Sequence, residues 1–311
     1  MNGDRPIPTL EEAPPIPCTE ECLLRPGNTN CGGCGMGVGL TMLGRALNEA
    51  GDTCTLAIPA CCGIVTAGAF PTTSYGVPTV ATTFASAAAV AAGIATVRDL
   101  NEESGQVICW AGDGGTYDIG IATLSAAAER NENIIYICYD NEIYGNTGGQ
   151  RSSATPPGAR TTTTPGGKSE EKKDIMAIMA AHQIPYAATL SIAHPDDFSR
   201  KLKTAFDTPG TRFLLMHSPC PTGWKSEPAD SVELVRLAVA SGLFPLYEVW
   251  NGSAWRINVE PDWTSPTEYF QRQRRFKDGE IDLQATERSC RNQFQRLKTL
   301  AREFPRKTEE G

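Results

Sequence analysis

Two unbroken apolar runs, Gln106-Val-Ile-Cys-Trp-Ala111 and Ile134-Ile-Tyr-Ile-Cys-Tyr139, constrain this chain more than any other feature. Runs of that length without polar alternation read as strands buried on both faces. Between them the spacing predicts a helix over residues 119–130. Strand, turn, helix and strand within about 30 residues make a βαβ crossover, which joins parallel strands. The first run ends at Gly112-Asp113-Gly114 and the second at Asp140-Asn141, so an acid and an amide 28 residues apart meet on one sheet edge. Ligands of open α/β sheets bind at that edge.

The rest of the pattern is of the same kind. Leu40, Met42, Leu43 and Leu47 predict a helix from Met36, Thr55–Ile58 a short strand, and Thr83–Leu100 a closely packed Ala-rich helix. Further on, helices are expected over Asp174–His182 and Pro195–Phe206, strands at Ala187–Ser191 and Arg212–His217, and two more elements within Ser231–Val249. The fold class is therefore α/β, a mostly parallel sheet covered by helices. Prolines from Pro6 to Pro26 make residues 1–30 an irregular N-terminal arm. Residues 31–250 form the α/β domain. Residues 251–311, charged and polar, form a C-terminal extension that is either a solvated helix or a clasp on a neighbouring subunit. Residues 146–173, almost all Gly, Ser, Thr, Pro and basic residues, make a loop too long for a mere connection and expected to carry function.

Composition narrows the function classes. A net charge of -8 and a pI near 5.1 disfavour binding to a phosphate backbone, so nucleic acid is not expected as a partner. No apolar run approaches the ~20 residues of a membrane span. The N-terminus lacks the basic start and apolar centre of a secretory signal, and a cytoplasmic location is expected. Eleven cysteines exceed what packing requires, and in a reducing compartment some should bind metal. Cys109 and Cys138, inside the apolar runs, read instead as core residues.

Magnesium takes hard oxygen ligands and combines a carboxylate with other oxygens and phosphate groups. Asp113, the Asn141 side chain and the Ile143 carbonyl could supply those oxygens. Gly112, Gly114 and Gly115 leave room for a diphosphate, and a helix N-terminus expected near Asp118 favours its charge. Cys31-Gly-Gly-Cys34 suits a zinc ribbon, a redox dithiol or an iron–sulfur cluster. A zinc ribbon would want a second CxxC pair, which the chain lacks, and a thioredoxin-like motif would follow a strand rather than a Pro-rich arm.

The GDG turn followed after this interval by Asn resembles thiamine-diphosphate enzymes. Four blocks narrow the resemblance to the diphosphate-binding beta subunit of the 2-oxoacid:ferredoxin oxidoreductase family: Gly112–Gly120, Tyr139–Gln150, Ala154–Ala159 and Pro219–Trp224. The likeness runs from about Cys31 to Glu248. It implies thiamine diphosphate, with Asp113, Asn141 and the Ile143 carbonyl on Mg2+ and with Asn146 and Thr147 beside the reactive end. It also implies a [4Fe-4S] cluster on Cys31, Cys34, Cys220 and one of the pair Cys61-Cys62. The ungapped register favours Cys62, with Cys61 as the alternative. Here the chain has Pro-Ala-Cys-Cys-Gly in place of Thr-Gly-Cys, and Asn28-Thr29-Asn30 where relatives often carry histidine. Cys18 and Cys22 form a CxxxC in the arm and read as solvent-exposed or partner-facing thiols, with a spare ligand pair as the alternative.

The implied activity is oxidative decarboxylation of a 2-oxoacid with one-electron transfer to the cluster, the acyl group usually passing to coenzyme A. The implied partners are an alpha subunit supplying the pyrimidine-binding half of the site, gamma and ferredoxin-like delta subunits or their fusions, and ferredoxin or a similar acceptor. Arg151 and Lys168 are cationic candidates for a substrate or coenzyme phosphate. His182, His194 and His217 have no metal-like spacing and read as structural. Two other classes compete. A non-oxidative thiamine diphosphate decarboxylase or synthase has no use for the cysteines, and a non-catalytic electron-transfer subunit has none for Asp113 and Asn141.

Overall fold

The computed structural model describes residues 22–68, 73–277 and 281–306. Its centre is one eight-stranded sheet of order β2-β1-β3-β4-β6-β5-β7-β8. The strands are β1 (Cys54–Pro59), β2 (Thr79–Thr82), β3 (Gln106–Gly112), β4 (Ile135–Asp140), β5 (Tyr186–Ser191), β6 (Arg212–His217), β7 (Leu246–Trp250) and β8 (Ala254–Val259). The first six are mutually parallel, and β7 and β8 add an antiparallel pair beyond β5. The chain leaves β1 for β2 on one side and returns to β3 on the other, so the β1/β3 boundary is the topological switch point.

Alternation along each strand divides the interior in two. Val107, Cys109 and Ala111 face one layer with α3 (Ala87–Leu100), α4 (Ile121–Glu129) and α5 (Ile175–Ala181). Ile108 and Trp110 face the other with α1 (Gly35–Ala50), α2 (Cys62–Ala67) and α6 (Pro195–Asp207). That period of two is what buries both faces of a parallel sheet. Trp110 is wholly buried, and truncation of such a side chain to Ala costs about 3–5 kcal/mol.

The remaining helices are α7 (Pro221–Trp224), α8 (Ser231–Ala240), α9 (Thr267–Gln271) and α10 (Leu283–Glu303). Within the segment set apart in sequence at 251–311, β8 pairs with β7 at the sheet edge, and Phe294 and Leu297 of α10 join the core. The α10 start is fixed by Asp282, whose side chain accepts the Ala285 N–H at 2.8 Å. Residues 22–30 lack regular structure, with Leu23 buried and the Arg25 N–H donating to the Ser74 carbonyl. Residues 1–21, including Cys18, lie outside the described residues.

Two helical elements begin at other residues than expected. The helical turn after β3 begins at Gly114 as a π-helical turn, Gly114–Asp118, and not near Asp118. The helix expected from Thr83 starts at Ala87, because the preceding Thr79–Thr82 pairs with β1 as an edge strand.

Candidate functional site

Because β1, β3, β4 and β6 are parallel, their C-terminal tips share one edge, carrying Cys61-Cys62, Asp113, Asn141 and, three residues past β6, Cys220. The inward atom of the Asn141 amide stands 2.8 Å from Asp113 Oδ1 and 2.7 Å from the Ile143 carbonyl oxygen. As nitrogen it would donate to both; as oxygen it completes a set of three oxygens that only a cation holds together. Without a cation the two facing acceptors call for nitrogen, and a half-turn of the amide about its Cβ–Cγ bond would present the oxygen to a cation. Asp113 is 1% exposed. Burial, and next the Asp140 carboxylate, push its carboxyl well above the usual range, against the Ser152 hydroxyl and the Lys172 ammonium. A buried carboxylate so placed is costly unless a cation faces it. The donor set of one carboxylate, one amide and one carbonyl fits a hard cation such as Mg2+, whose further ligands would be phosphate oxygens and water.

A cavity of about 230 Å³ opens on this set, with Asp113, Asn141 and Phe84 among its walls and Cys61 and Cys62 on the β1 side. Gly112, Gly114 and Gly115 line it, yet aromatic rings take the space their missing side chains leave: a Cβ on Gly114 would drive into Tyr144, and one on Gly115 would meet Phe84 at 3.2 Å. Asn146 and Thr147 are exposed beside it. The Thr147 hydroxyl donates to Gln150 Oε1 at 2.6 Å.

The cysteines approach from three segments. The Cys31–Cys34 turn is docked on the Cys220 loop, since the Gly35 N–H donates to the Pro219 carbonyl at 3.0 Å and the Ser231 hydroxyl to the Gly33 carbonyl at 2.5 Å. Gly33 adopts φ +70°, and a Cβ there would strike the Pro228 carbonyl, so a turn this close to its neighbour needs glycine. The Cys62 and Cys220 sulfurs each lie 3.8 Å from where a Cβ on Gly145 would stand. Burial, then the charges of Cys220, Cys61, Cys34 and Cys31, push the Cys62 thiol up to about 12. Burial also raises Cys61, but its sulfur is engaged by the Tyr139 hydroxyl and the Ile64 and Gly63 N–H groups. Among the described residues no three Cys, His, Asp or Glu side chains close on a single metal ion. A lone zinc draws its thiolates to about 2.3 Å, whereas a cubane spreads them over its corners.

A family model for the thiamine pyrophosphate enzyme C-terminal TPP-binding domain matches residues 60–216. Pyruvate synthase subunit PorB of Methanothermobacter thermautotrophicus is 43% identical over 265 residues, 83% of this chain and 91% of the relative. Ketoisovalerate oxidoreductase subunit VorB of Pyrococcus horikoshii is 43% identical over 293 residues, 89% of this chain and 93% of the relative. The chain belongs to the 2-oxoacid:ferredoxin oxidoreductase family. Like the named members of that family, it is a subunit of an oxidoreductase. A solved 2-oxoglutarate:ferredoxin oxidoreductase of Magnetococcus marinus shares the fold, with a TM-score of 0.57 at 24% identity over 71% of this chain and 81% of that one. The matched thiamine pyrophosphate domain includes Asp113, Asn141 and Cys62 and stops short of Cys31, Cys34 and Cys220, which flank it.

Within this family frame, several residues that support the oxygens are invisible to motif reading. The Ser152 hydroxyl donates to Asp113 Oδ2 at 2.5 Å, turning Oδ1 toward Asn141, and the Thr155 hydroxyl donates to the Glu142 carbonyl at 2.6 Å. Asp118 accepts from the Tyr144 hydroxyl at 3.0 Å and the Ser153 N–H at 3.1 Å, tying the loop to the π-helical turn. The length of the 146–173 loop and its Ala154–Ala159 block pointed to this segment, but not to these hydroxyl groups. Lys168 is buried and donates to the Thr155 carbonyl at 2.6 Å, so it braces the loop, while Arg151 pairs with Glu170 at 3.5 Å. No described helix is long and apolar enough to cross a membrane.

Proposed function

We propose that this chain is the diphosphate-binding subunit of an assembly that oxidatively decarboxylates a 2-oxoacid. In this reading Asp113, Asn141 and the Ile143 carbonyl hold Mg2+, and the Mg2+ holds the diphosphate of thiamine diphosphate. The backbone at Gly112, Gly114 and Gly115 lies along that diphosphate, and Asn146 and Thr147 stand beside the reactive end. The N–H groups of the Gly114–Asp118 turn add their dipoles. Bound there, the cofactor supplies carbanion stabilisation for decarboxylating the 2-oxoacid. Cys31, Cys34, Cys62 and Cys220 would hold a [4Fe-4S] cluster, which would supply one-electron acceptance there; Cys61, turned toward Tyr139, would stay outside it. Coenzyme A takes the acyl group, and ferredoxin or a similar protein takes the electrons.

The observation that carries this reading is the convergence of the Asp113 carboxylate, the Asn141 amide and the Ile143 carbonyl at the β3 and β4 tips, beside a cavity that Cys62 also lines. At about 230 Å³ the cavity is smaller than the ~300–1,000 Å³ of a complete ligand pocket, which supports completion of the site by another chain. An alpha subunit would supply the pyrimidine-binding half, with gamma and ferredoxin-like delta chains carrying electrons onward. The relatives named for pyruvate and ketoisovalerate support the 2-oxoacid class.

The test is anaerobic purification of the native assembly, followed by thiamine diphosphate binding with Mg2+ or with chelator, iron analysis and 2-oxoacid screening for cluster bleaching. Mg2+-dependent binding with bleaching supports the reading. Binding indifferent to Mg2+ would overturn it, and turnover by an assembly devoid of iron would point to a non-oxidative thiamine enzyme.

A further inference from the structure

Glu142 lies between Asn141 and Ile143, two of the three residues of the oxygen set, and is buried with a left-handed backbone, φ +61°. A non-glycine residue persists there only when its surroundings over-determine it. Arg275, from the segment after α9, supplies one of those determinants. Its Nη2 meets Glu142 Oε2 at 2.6 Å, and its guanidinium lies 4.0 Å over the Trp224 ring. Trp224 in turn donates from Nε1 to the Asn141 carbonyl at 2.7 Å, and it stands four residues after Cys220. Gln273 Oε1 accepts the Arg275 Nε–H at 2.9 Å and orients the fork. Lys172 also reaches Glu142, at 3.1 Å, but its ammonium is shared with Asp140 at 2.6 Å. Arg275 is the cation that grips Glu142 and Trp224 together.

We propose that Arg275 is a positioning residue for the cation site: it holds Glu142 in the turn that brings the Asn141 amide and the Ile143 carbonyl to Asp113, and through Trp224 it ties that turn to the Cys220 loop. This deepens the function proposed above and rests on it. The planar fork and the stacking on Trp224 are properties of Arg, so Lys replaces it only in part.

The test compares assembled enzyme carrying Arg275→Met, Arg275→Lys or Glu142→Gln, titrated with Mg2+ while retained thiamine diphosphate is measured by equilibrium dialysis. Arg200→Met, which breaks the remote ion pair to buried Glu248 at 2.9 Å, serves as the control. Arg275→Met and Glu142→Gln are expected to raise the Mg2+ half-saturation by about 10–100-fold, the range for partners that orient metal ligands. Arg275→Lys should fall between them and wild type, and Arg200→Met should lower only the melting temperature. If Arg275→Met does not assemble, the other two variants decide. Wild-type half-saturation in all assembled variants overturns the inference, as does failure of all three to assemble, which would make Arg275 a folding residue. Wild-type enzyme without Mg2+-dependent retention would instead bring down the functional reading, and this inference with it.

Discussion

His217 ends β6 with its ring stacked 4.9 Å from Phe244 and tilted against Trp224 at 5.4 Å, and with Nε2 3.3 Å from the Tyr269 hydroxyl. Burial dominates its titration and pushes it from 6.5 down to about 4, with the nearby Glu142 carboxylate opposing. The unfolded chain therefore takes up a proton below pH 6.5 that the folded chain refuses until about pH 4. Stability from this residue is full above 6.5 and is lost as pH falls between those values. At somewhat over 1 kcal/mol per pKa unit the complete loss is about 3 kcal/mol, of which about 1–2 kcal/mol is gone by pH 5.5. His217→Phe keeps the stacking and gives up the Tyr269 contact, a fixed cost of about 1 kcal/mol. Urea denaturation of both chains from pH 4.5 to 7.5 should show wild type ahead at neutral pH, the curves crossing near about pH 6, and the variant ahead below it. A difference that stays constant with pH, or grows in favour of wild type on acidification, would refute a buried neutral imidazole.

Two further outcomes follow from the same edge. Cys62→Ser should lose the cluster's iron while Cys61→Ser keeps it, as read by iron and acid-labile sulfide per chain; the reverse result would transfer the ligand role to Cys61. Asp113→Asn should abolish Mg2+-dependent thiamine diphosphate binding yet raise the melting temperature of the cation-free chain, because it removes a buried carboxylate whose charge burial and Asp140 both disfavour. A cation-free variant less stable than wild type would count against that account.

The central strands were legible because their side chains are buried on both faces, which writes Val107–Ala111 and Ile134–Tyr139 as unbroken apolar text. Asp113 and Asn141 were legible for the related reason that a parallel sheet puts both strand ends on one side. β2 escaped notice because Thr79–Thr82 is short, half exposed and paired on one side only. β8 escaped because charged neighbours hid the alternation of Trp255, Ile257 and Val259, whose side chains are only partly buried. Glu142 and Arg275 are 133 residues apart, and nothing local in either segment announces the other. The loop after Gln150 was expected to carry function, but Ser152 and Thr155 act through hydroxyl groups indistinguishable in sequence from the threonines around them.

The sheet is also a partition. Cys109 and Trp110 are covalent neighbours in different compartments, and the same backbone period sets their fates apart. Substitutions there should couple less strongly than those at Trp110 and Tyr139, 29 residues apart but 5.5 Å ring to ring. Each half of the interior is thus free to drift over generations without consulting the other. The rim where both halves deliver their strand tips has no such liberty, since a shift of either layer moves the same few oxygens and sulfurs.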